Sequence, residues 1–329
     1  MEYRLLGKTG WQVSEISLGT WQLGGKWGEP FDHDVAVETI NRAIDAGINF
    51  IDTADVYRDG LSEQTVAEVV KARSEEVYVA TKCGRRLQPH TNDAYTPEAL
   101  RGFVEESLRN MQTETIDLIQ LHCPPHEVYY RPEIFELFDR LREEGKIRNL
   151  GVSVEKVEEG LKAIEYPNVT TIQIIYNMFR LRPAEWFFPR AKERNVGVIV
   201  RVPLASGILA GKMSRDTTFG SQDHRTFNRE GQAFDKGETF SGVEFDLGLE
   251  AVDALREVFP ESEGSLAQWA LAWVLMADEV STVIPGASRV EHVESNAEAP
   301  SLLPLSQEQM ARVREVYEKS LKPRVHQRW

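Results

Sequence analysis

Seven short apolar runs recur along the chain, and each leads into polar or reactive residues. They are INFI before Asp52, VYVAT before Lys82, DLIQL before His122, IRNLGV before Ser153, TI before Gln173, GVIV before Arg201, and STVIP before Gly286-Ala287-Ser288-Arg289. Helix-patterned stretches lie between them. Alternation of strand and helix with short connections requires parallel strands joined by right-handed crossovers. With a short first strand at Ile16–Gly19 the units number eight, which favours a closed (β/α)8 TIM barrel over an open doubly wound sheet. No Gly-x-Gly-x-x-Gly follows an early strand, which argues against a Rossmann start. In a parallel barrel the loops after the strands converge on one mouth, and the chemistry sits there. An acid, an amine, an imidazole, a hydroxyl, an amide and a guanidinium from separate strands therefore form one assembled site.

The remaining segments fit a single domain over residues 1–329. EYRLL, a turn at Gly7-Lys8-Thr9-Gly10 and WQVS read as an N-terminal β-hairpin that caps the bottom of the barrel. Val35, Thr39, Ile40 and Ala43 give one face to a helix over Asp32–Ala46, ended by Gly47. Pro97 opens a helix whose apolar face is Leu100, Phe103, Val104, Leu108 and Met111. Further helices are expected at Ser62–Ala72, Pro132–Glu143, Val154–Ile164 and Pro183–Arg194. The rhythm breaks from about Met213 to Phe245, which is polar, Gly-rich and dotted with aromatics. A loop this long inside a compact domain is usually a lid or disordered. It follows the seventh strand and so is expected over the mouth. A helix over Gln307–Lys322 and a tail, Pro323–Trp329, complete the chain.

The formal charge of −14 disfavours nucleic acid and anionic membrane as partners, because both recruit basic surfaces. MEYRLLGKTG lacks the apolar core of a signal peptide, and no run is long enough to span a bilayer. A cytoplasmic protein is expected. Its two cysteines, Cys83 and Cys123, form no Cys-x-x-Cys motif, and its histidines are scattered, so no metal site is expected. The two thiols are read as part of the pocket wall.

Asp52 and Tyr57 share the segment NFIDTADVY, and Lys82 and His122 end the next two strands. A tyrosine is a weak acid near neutral pH, and a neighbouring ammonium lowers its pKa by favouring the phenolate. A carboxylate beside the lysine keeps that ammonium charged and in place. A histidine can orient a substrate carbonyl by a hydrogen bond. Together they form a tyrosine acid/base suited to reducing a carbonyl or oxidising an alcohol.

At this point the chain resembles the aldo-keto reductases over nearly its whole length. SLGTWQLGG, NFIDTADVY, the Lys82 strand, LIQLHCP, GVSV, IQIIYNMF, VPLASGILAGK and VIPGAS carry the resemblance in order and spacing. The Gly-Ala-Ser form is similar to the branch with bacterial sugar and general-stress reductases and potassium-channel β-subunits. The resemblance implies Asp52, Tyr57, Lys82 and His122 as the catalytic tetrad. It implies NADP(H), with NAD(H) as the alternative, held as follows. Gly19, Thr20 and Trp21 form the first cofactor loop, and Ser153 and Gln173 hold the nicotinamide carboxamide. Pro203, Leu204, Ser206, Gly207 and Lys212 wrap the pyrophosphate. Gly286, Ser288, Arg289, His292 and Asn296 hold the adenosine end, with Arg289 answering a 2′-phosphate.

Trp21, Trp27 and Phe179 are candidate walls of the substrate pocket. The chain departs from many relatives at Val154, where Asn is frequent, and at Arg201, where an aromatic often stacks on the nicotinamide. Arg201 is expected to disfavour the cationic oxidised nicotinamide and to offer an anionic substrate a partner, with Arg180 and Arg182 nearby.

The activity implied is NADPH-dependent reduction of an aldehyde or ketone. The alternatives are a sugar or polyol dehydrogenase, or a non-catalytic cofactor sensor like the channel β-subunits. His122 favours the enzyme, since those sensors often carry Asn there. The sequence indicates neither the substrate nor an oligomeric state.

Overall fold

A computed structural model describes residues 1–25 and 28–329 of the chain. The hairpin pairs β1 (Tyr3–Leu5) with β2 (Gln12–Ser14) in antiparallel register. Eight strands then follow in one parallel sheet, ordered as they occur in the sequence. They are β3 (Leu18–Gly19), β4 (Phe50–Asp52), β5 (Tyr78–Cys83), β6 (Ile116–His122), β7 (Ile147–Ser153), β8 (Val169–Ile175), β9 (Gly197–Arg201) and β10 (Val280–Val283). The last closes on the first through parallel bridges at Ile16–Val283 and Gly19–Gly286, with Ser17 N–H donating to Val283 O at 2.8 Å. The sheet is thus a barrel, as the alternation predicts.

Side chains alternate across each strand, and this sorts the barrel into two cores. Leu6, Val13, Phe50, Tyr78, Ala80, Leu118, Ile199 and Ile284 form the inner cluster. Leu6 and Val13 come from the hairpin, which therefore plugs the lower end, as its apolar residues foretell. Ile51, Val79, Ile119, Val152, Val198 and Val200 face outward into the larger core beneath the helices. Residues two positions after an inner-core residue share its inward face. Asp52 follows Phe50, Lys82 follows Ala80, Gln120 and His122 follow Leu118, and Arg201 follows Ile199. The polar strand ends are therefore the top layer of the barrel interior.

The expected helices form at α1 (His33–Asp45), α2 (Leu61–Ala72), α3 (Pro97–Asn110), α4 (Pro132–Glu143), α5 (Val157–Ala163) and α6 (Pro183–Glu193). Asp32 and Thr96 cap α1 and α3 with side-chain oxygens. The segment after β9 folds into short elements. It contains the short helix α7 (His224–Phe227) and tight turns at Lys236–Glu238 and Phe240–Gly242. Two helices precede β10 that the strand–helix reading leaves out, α8 (Phe245–Arg256) and α9 (Leu266–Leu275). After α10 (Val290–Glu298) the predicted last helix begins as α11 (Gln307–Val316) and continues as a π-turn and a short helix to Val325. Pro323 lies in the first turn of that helix, where its missing N–H costs nothing.

Candidate functional site

The top of the barrel holds a cavity of about 440 Å³, lined among others by Gly19, Thr20, Trp21, Asp52, Tyr57, Arg85, His122, Gln173, Arg201 and Glu238. Lys82 is fully buried at its floor. Its Nζ donates to Asp52 Oδ1 at 2.5 Å, to Thr53 O at 2.8 Å and to Tyr57 Oη at 3.2 Å. The second Asp52 oxygen accepts from Gln120 Nε2 at 3.0 Å and Gln173 Nε2 at 2.7 Å. The Tyr57 and His122 rings meet edge to face, with centroids 6.1 Å apart. The structure thus brings Asp52, Tyr57, Lys82 and His122 together.

Protonation follows from this packing. Burial alone would discharge Lys82, but the Asp52 carboxylate and the Tyr57 phenol outweigh it and hold its pKa above the ordinary value. Burial pushes the Tyr57 phenol up, and the Lys82 charge offsets this only in part, so the net shift is upward. This differs from the lowered pKa expected of a tyrosine beside an ammonium, because desolvation of the phenolate is the larger effect. Burial, followed by the cations of Arg85, Lys82 and Arg201, holds the His122 imidazole well below its ordinary value. At neutral pH the site presents a neutral phenol, an ammonium and a neutral imidazole.

Arg201 is 8% exposed, and its charge is not free. Its Nη2 donates to Glu155 Oε2 at 2.9 Å and to Val154 O at 3.0 Å, and its Nη1 lies 3.8 Å from Glu238 Oε1. Arg85 reaches the same two carboxylates, at 3.1 Å from Glu238 and 3.7 Å from Glu155. Glu155 thus offsets the charge by which Arg201 is expected to repel an oxidised nicotinamide and recruit an anion. Burial and the nearby Glu155 carboxylate raise Glu238 to about 7, against the pull of Arg85 and Arg201. Cys123, Glu155 and Glu238 bring ligand-type atoms within 4.8 Å of one another, but the Arg201 guanidinium already supplies the cation there. Glu155, Glu238, Arg85 and Gln120 are members of the site that the strand-end pattern misses. Gln120 had a usable signal, since it lies two residues before His122 on the same inward face.

The cofactor-type residues divide. Gly19, Thr20, Trp21, Gln173, Pro203, Leu204, Ser206, Gly207 and Gly286 line the cavity. Val202, Ala205 and Ser206 take positive φ values of 53°, 46° and 57°, followed by Gly207 at 89°. Left-handed backbone in non-glycine residues costs about 1–3 kcal/mol each and persists where a concave array of N–H groups is useful. Such an array suits a pyrophosphate. The Ser206 hydroxyl is otherwise engaged, donating to Glu238 O and accepting from Phe240 N–H, both at 3.0 Å.

Ser153 is buried off the cavity, with its Oγ 3.5 Å from Cys123 Sγ. Ser288 bonds His292 Nδ1 at 3.3 Å, Asn296 is buried beside them on α10, and Arg289 is an exposed residue 3.3 Å from Glu291. Lys212 is exposed. Phe179 is fully buried and packs in the outer core, so it is not a pocket wall. Trp27 lies outside the described residues. Neither cysteine lines the cavity, and burial raises both thiol pKa values. Arg180 is buried below the post-β9 segment, and Arg182 bridges Glu158 and Trp329 O.

The sequence model of the Aldo/keto reductase family matches residues 15–318. The chain belongs to the aldo/keto reductase family. The chain is 32% identical to the aldo-keto reductase YhdN of Bacillus subtilis over 306 residues, covering 91% of this chain and 88% of that one. A glycerol dehydrogenase from Gluconobacter oxydans superposes with a TM-score of 0.78 at 31% identity, covering 97% of this chain and 96% of that one. An aldo-keto reductase from Klebsiella pneumoniae in complex with NADPH gives a TM-score of 0.71 at 25% identity, with coverages of 96% and 95%. As an aldo/keto reductase the protein is an oxidoreductase of carbonyl compounds, and the barrel with its capping hairpin is that family's architecture. No helix among the described residues is long and apolar enough to cross a membrane.

Proposed function

We propose that this aldo/keto reductase uses NADP(H) to reduce a small aldehyde or ketone, or in reverse to oxidise the alcohol, with Tyr57 as the acid/base. The observation that carries the reading is Tyr57 Oη 3.2 Å from the buried Lys82 Nζ, beside a neutral His122, in the wall of one cavity. The cofactor supplies the hydride. Tyr57 gives its phenolic proton to the carbonyl oxygen. Lys82 stabilises the phenolate that remains, and solvent returns the proton. Asp52 holds Lys82 charged and is itself fixed by Gln120 and Gln173. His122 is uncharged and donates its one N–H to the carbonyl oxygen, which orients it.

The left-handed run at 202–207 fits the pyrophosphate of a dinucleotide. Gln173 spends its N–H on Asp52, so its carbonyl oxygen is what a nicotinamide carboxamide meets. Ser288 and Arg289 just before α10, with His292 and Asn296 along it, fit the adenosine end. NADP(H) is favoured by the NADPH-bound relative and by the cation at Arg289. The wall combines Trp21 and Phe234 with the Arg85–Glu238 pair. That mixture suits a short hydroxylated carbonyl, in keeping with the glycerol dehydrogenase relative. The test is a panel of short aldehydes, ketosugars and polyols assayed with NADPH, NADH, NADP and NAD. Turnover of hydroxyaldehydes with NADPH is expected, and no cofactor oxidation with any carbonyl would overturn the reading.

A further inference from the structure

The segment after β9 meets the barrel mouth at the turn Asp235–Glu238, and the far end of the chain grips that turn. Trp329 is 5% exposed. Its Nε1 donates to Asp235 Oδ1 at 2.6 Å, and the same oxygen accepts from the Gly237 N–H at 2.7 Å. Its ring lies over the Arg180 guanidinium at 4.4 Å. Arg182 Nη1 donates to its backbone oxygen at 2.9 Å. The contact leaves no room for a side chain opposite. A Cβ at Gly237 would stand 2.7 Å, and one at Gly242 2.3 Å, from the indole carbons.

Arg180 ties this contact to the turn from beneath. Its Nη2 donates to Gly237 O at 3.2 Å and to Ser241 O at 3.3 Å. Its Nε and Nη1 are buried, with no hydrogen-bond partner among the described residues. A buried cation with no carboxylate bonded to it is costly. The face of an indole is the best aromatic answer to such a charge. The contact therefore does more than cover apolar area, since it stabilises the cation that fixes Gly237 and Ser241. Glu238, the residue after Gly237, carries its carboxyl to Arg85 and Arg201 in the wall of the cavity.

We propose that Trp329 is a positioning residue. Docked on Arg180 and Asp235, it sets the turn so that Glu238 stands between Arg85 and Arg201, and it thereby governs how tightly a carbonyl substrate is held. Proton transfer at Tyr57 is not its task. The kinetic half of this statement rests on the carbonyl-reductase reading, and the structural half does not.

The test combines hydrogen exchange with kinetics on Trp329→Ala and Trp329→Phe, using NADPH and DL-glyceraldehyde. In Trp329→Ala the amides of residues 235–242 should exchange about tenfold faster while the barrel strands keep their protection. KM for the aldehyde should rise about tenfold with kcat within about threefold. Trp329→Phe keeps a ring over Arg180 but lacks the N–H, and should fall between the two proteins on both measures. Unchanged exchange at 235–242 in both variants overturns the proposal. So does faster exchange with an unchanged KM, which would uncouple the turn from the substrate. If the unmodified protein reduces no carbonyl, the reductase reading fails, while the exchange arm still reports on the docking itself.

Discussion

Asp52 Oδ1 and Lys82 Nζ lie 2.5 Å apart, with the two side chains 3% and 0% exposed. An ion pair so removed from water is a liability if either member is lost, because the survivor keeps its desolvation cost without its partner. Breaking such pairs typically costs about 3–5 kcal/mol. Three donors, Lys82, Gln120 and Gln173, share the Asp52 carboxylate, so its geometry is over-determined.

Stability and activity should therefore separate at this pair. Lys82→Met is expected to lose about 3 kcal/mol in urea denaturation and to be nearly inactive. The double variant Asp52→Asn/Lys82→Met should recover most of the stability and none of the activity. Recovery of turnover in the double variant would mean that Lys82 matters only for folding.

Glu238 gives a pH signature. Its folded-state pKa is about 7 against an ordinary 4.5, so between those values the unfolded chain releases a proton that the folded chain keeps. Stability then falls as pH rises through that window, by at most about 1.4 kcal/mol per pH unit. Glu238→Gln removes the effect. Its stability relative to the unmodified protein should climb from about pH 4.5 to 7 and level off above. A difference that is flat with pH, measured by urea titrations at several pH values, would show that Glu238 stays ionised throughout.

Arg201 now supports a prediction opposite to the one its sequence position suggests. Because Glu155 answers its charge, Arg201→Met should shift the ratio of NADPH to NADP affinity by less than about threefold. The larger effect should be on folding, since Glu155 is left buried without its partner. Arg201→Met/Glu155→Gln should regain part of that loss in thermal unfolding. A tenfold change in the cofactor ratio would show that the guanidinium acts on the nicotinamide directly.

Arg289 is exposed, and its ion pair among the described residues is with Glu291 at 3.3 Å, so a 2′-phosphate can draw it away at little cost. Arg289→Ala should weaken NADPH about tenfold, the scale of one charge-assisted hydrogen bond, and leave NADH nearly unchanged. Fluorescence titration of both cofactors decides it. Equal losses would place Arg289 away from the 2′ position.

The barrel was legible because its strands carry their polar residues at one end and their helices carry a 3.6-residue face. Asp52, Lys82 and His122 could be read as one layer on that ground alone. Helix α9 was not legible in the same way. Its sequence, LAQWALAWVL, is apolar on nearly every side, so it shows no helical period. Glu155 and Glu238 escaped notice because both lie outside the strands and long helices, and their meaning depends on Arg85, in the turn after β5, and Arg201, at the end of β9, meeting them. Phe179 was misjudged because an aromatic after a strand can turn into the core as readily as into the mouth. The docking of Trp329 is a contact between residues 94 positions apart, which no local pattern encodes.

The most direct measurement of the whole account is the turnover of Tyr57→Phe. The substitution keeps the ring against His122 and removes only the hydroxyl facing Lys82. NADPH affinity, read by fluorescence titration, should stay within about twofold, while kcat for aldehyde reduction should fall about 10²–10⁴-fold, the usual weight of a general acid. Turnover within a few-fold of the unmodified enzyme, with NADPH still bound, would contradict the assignment of Tyr57 as the proton donor.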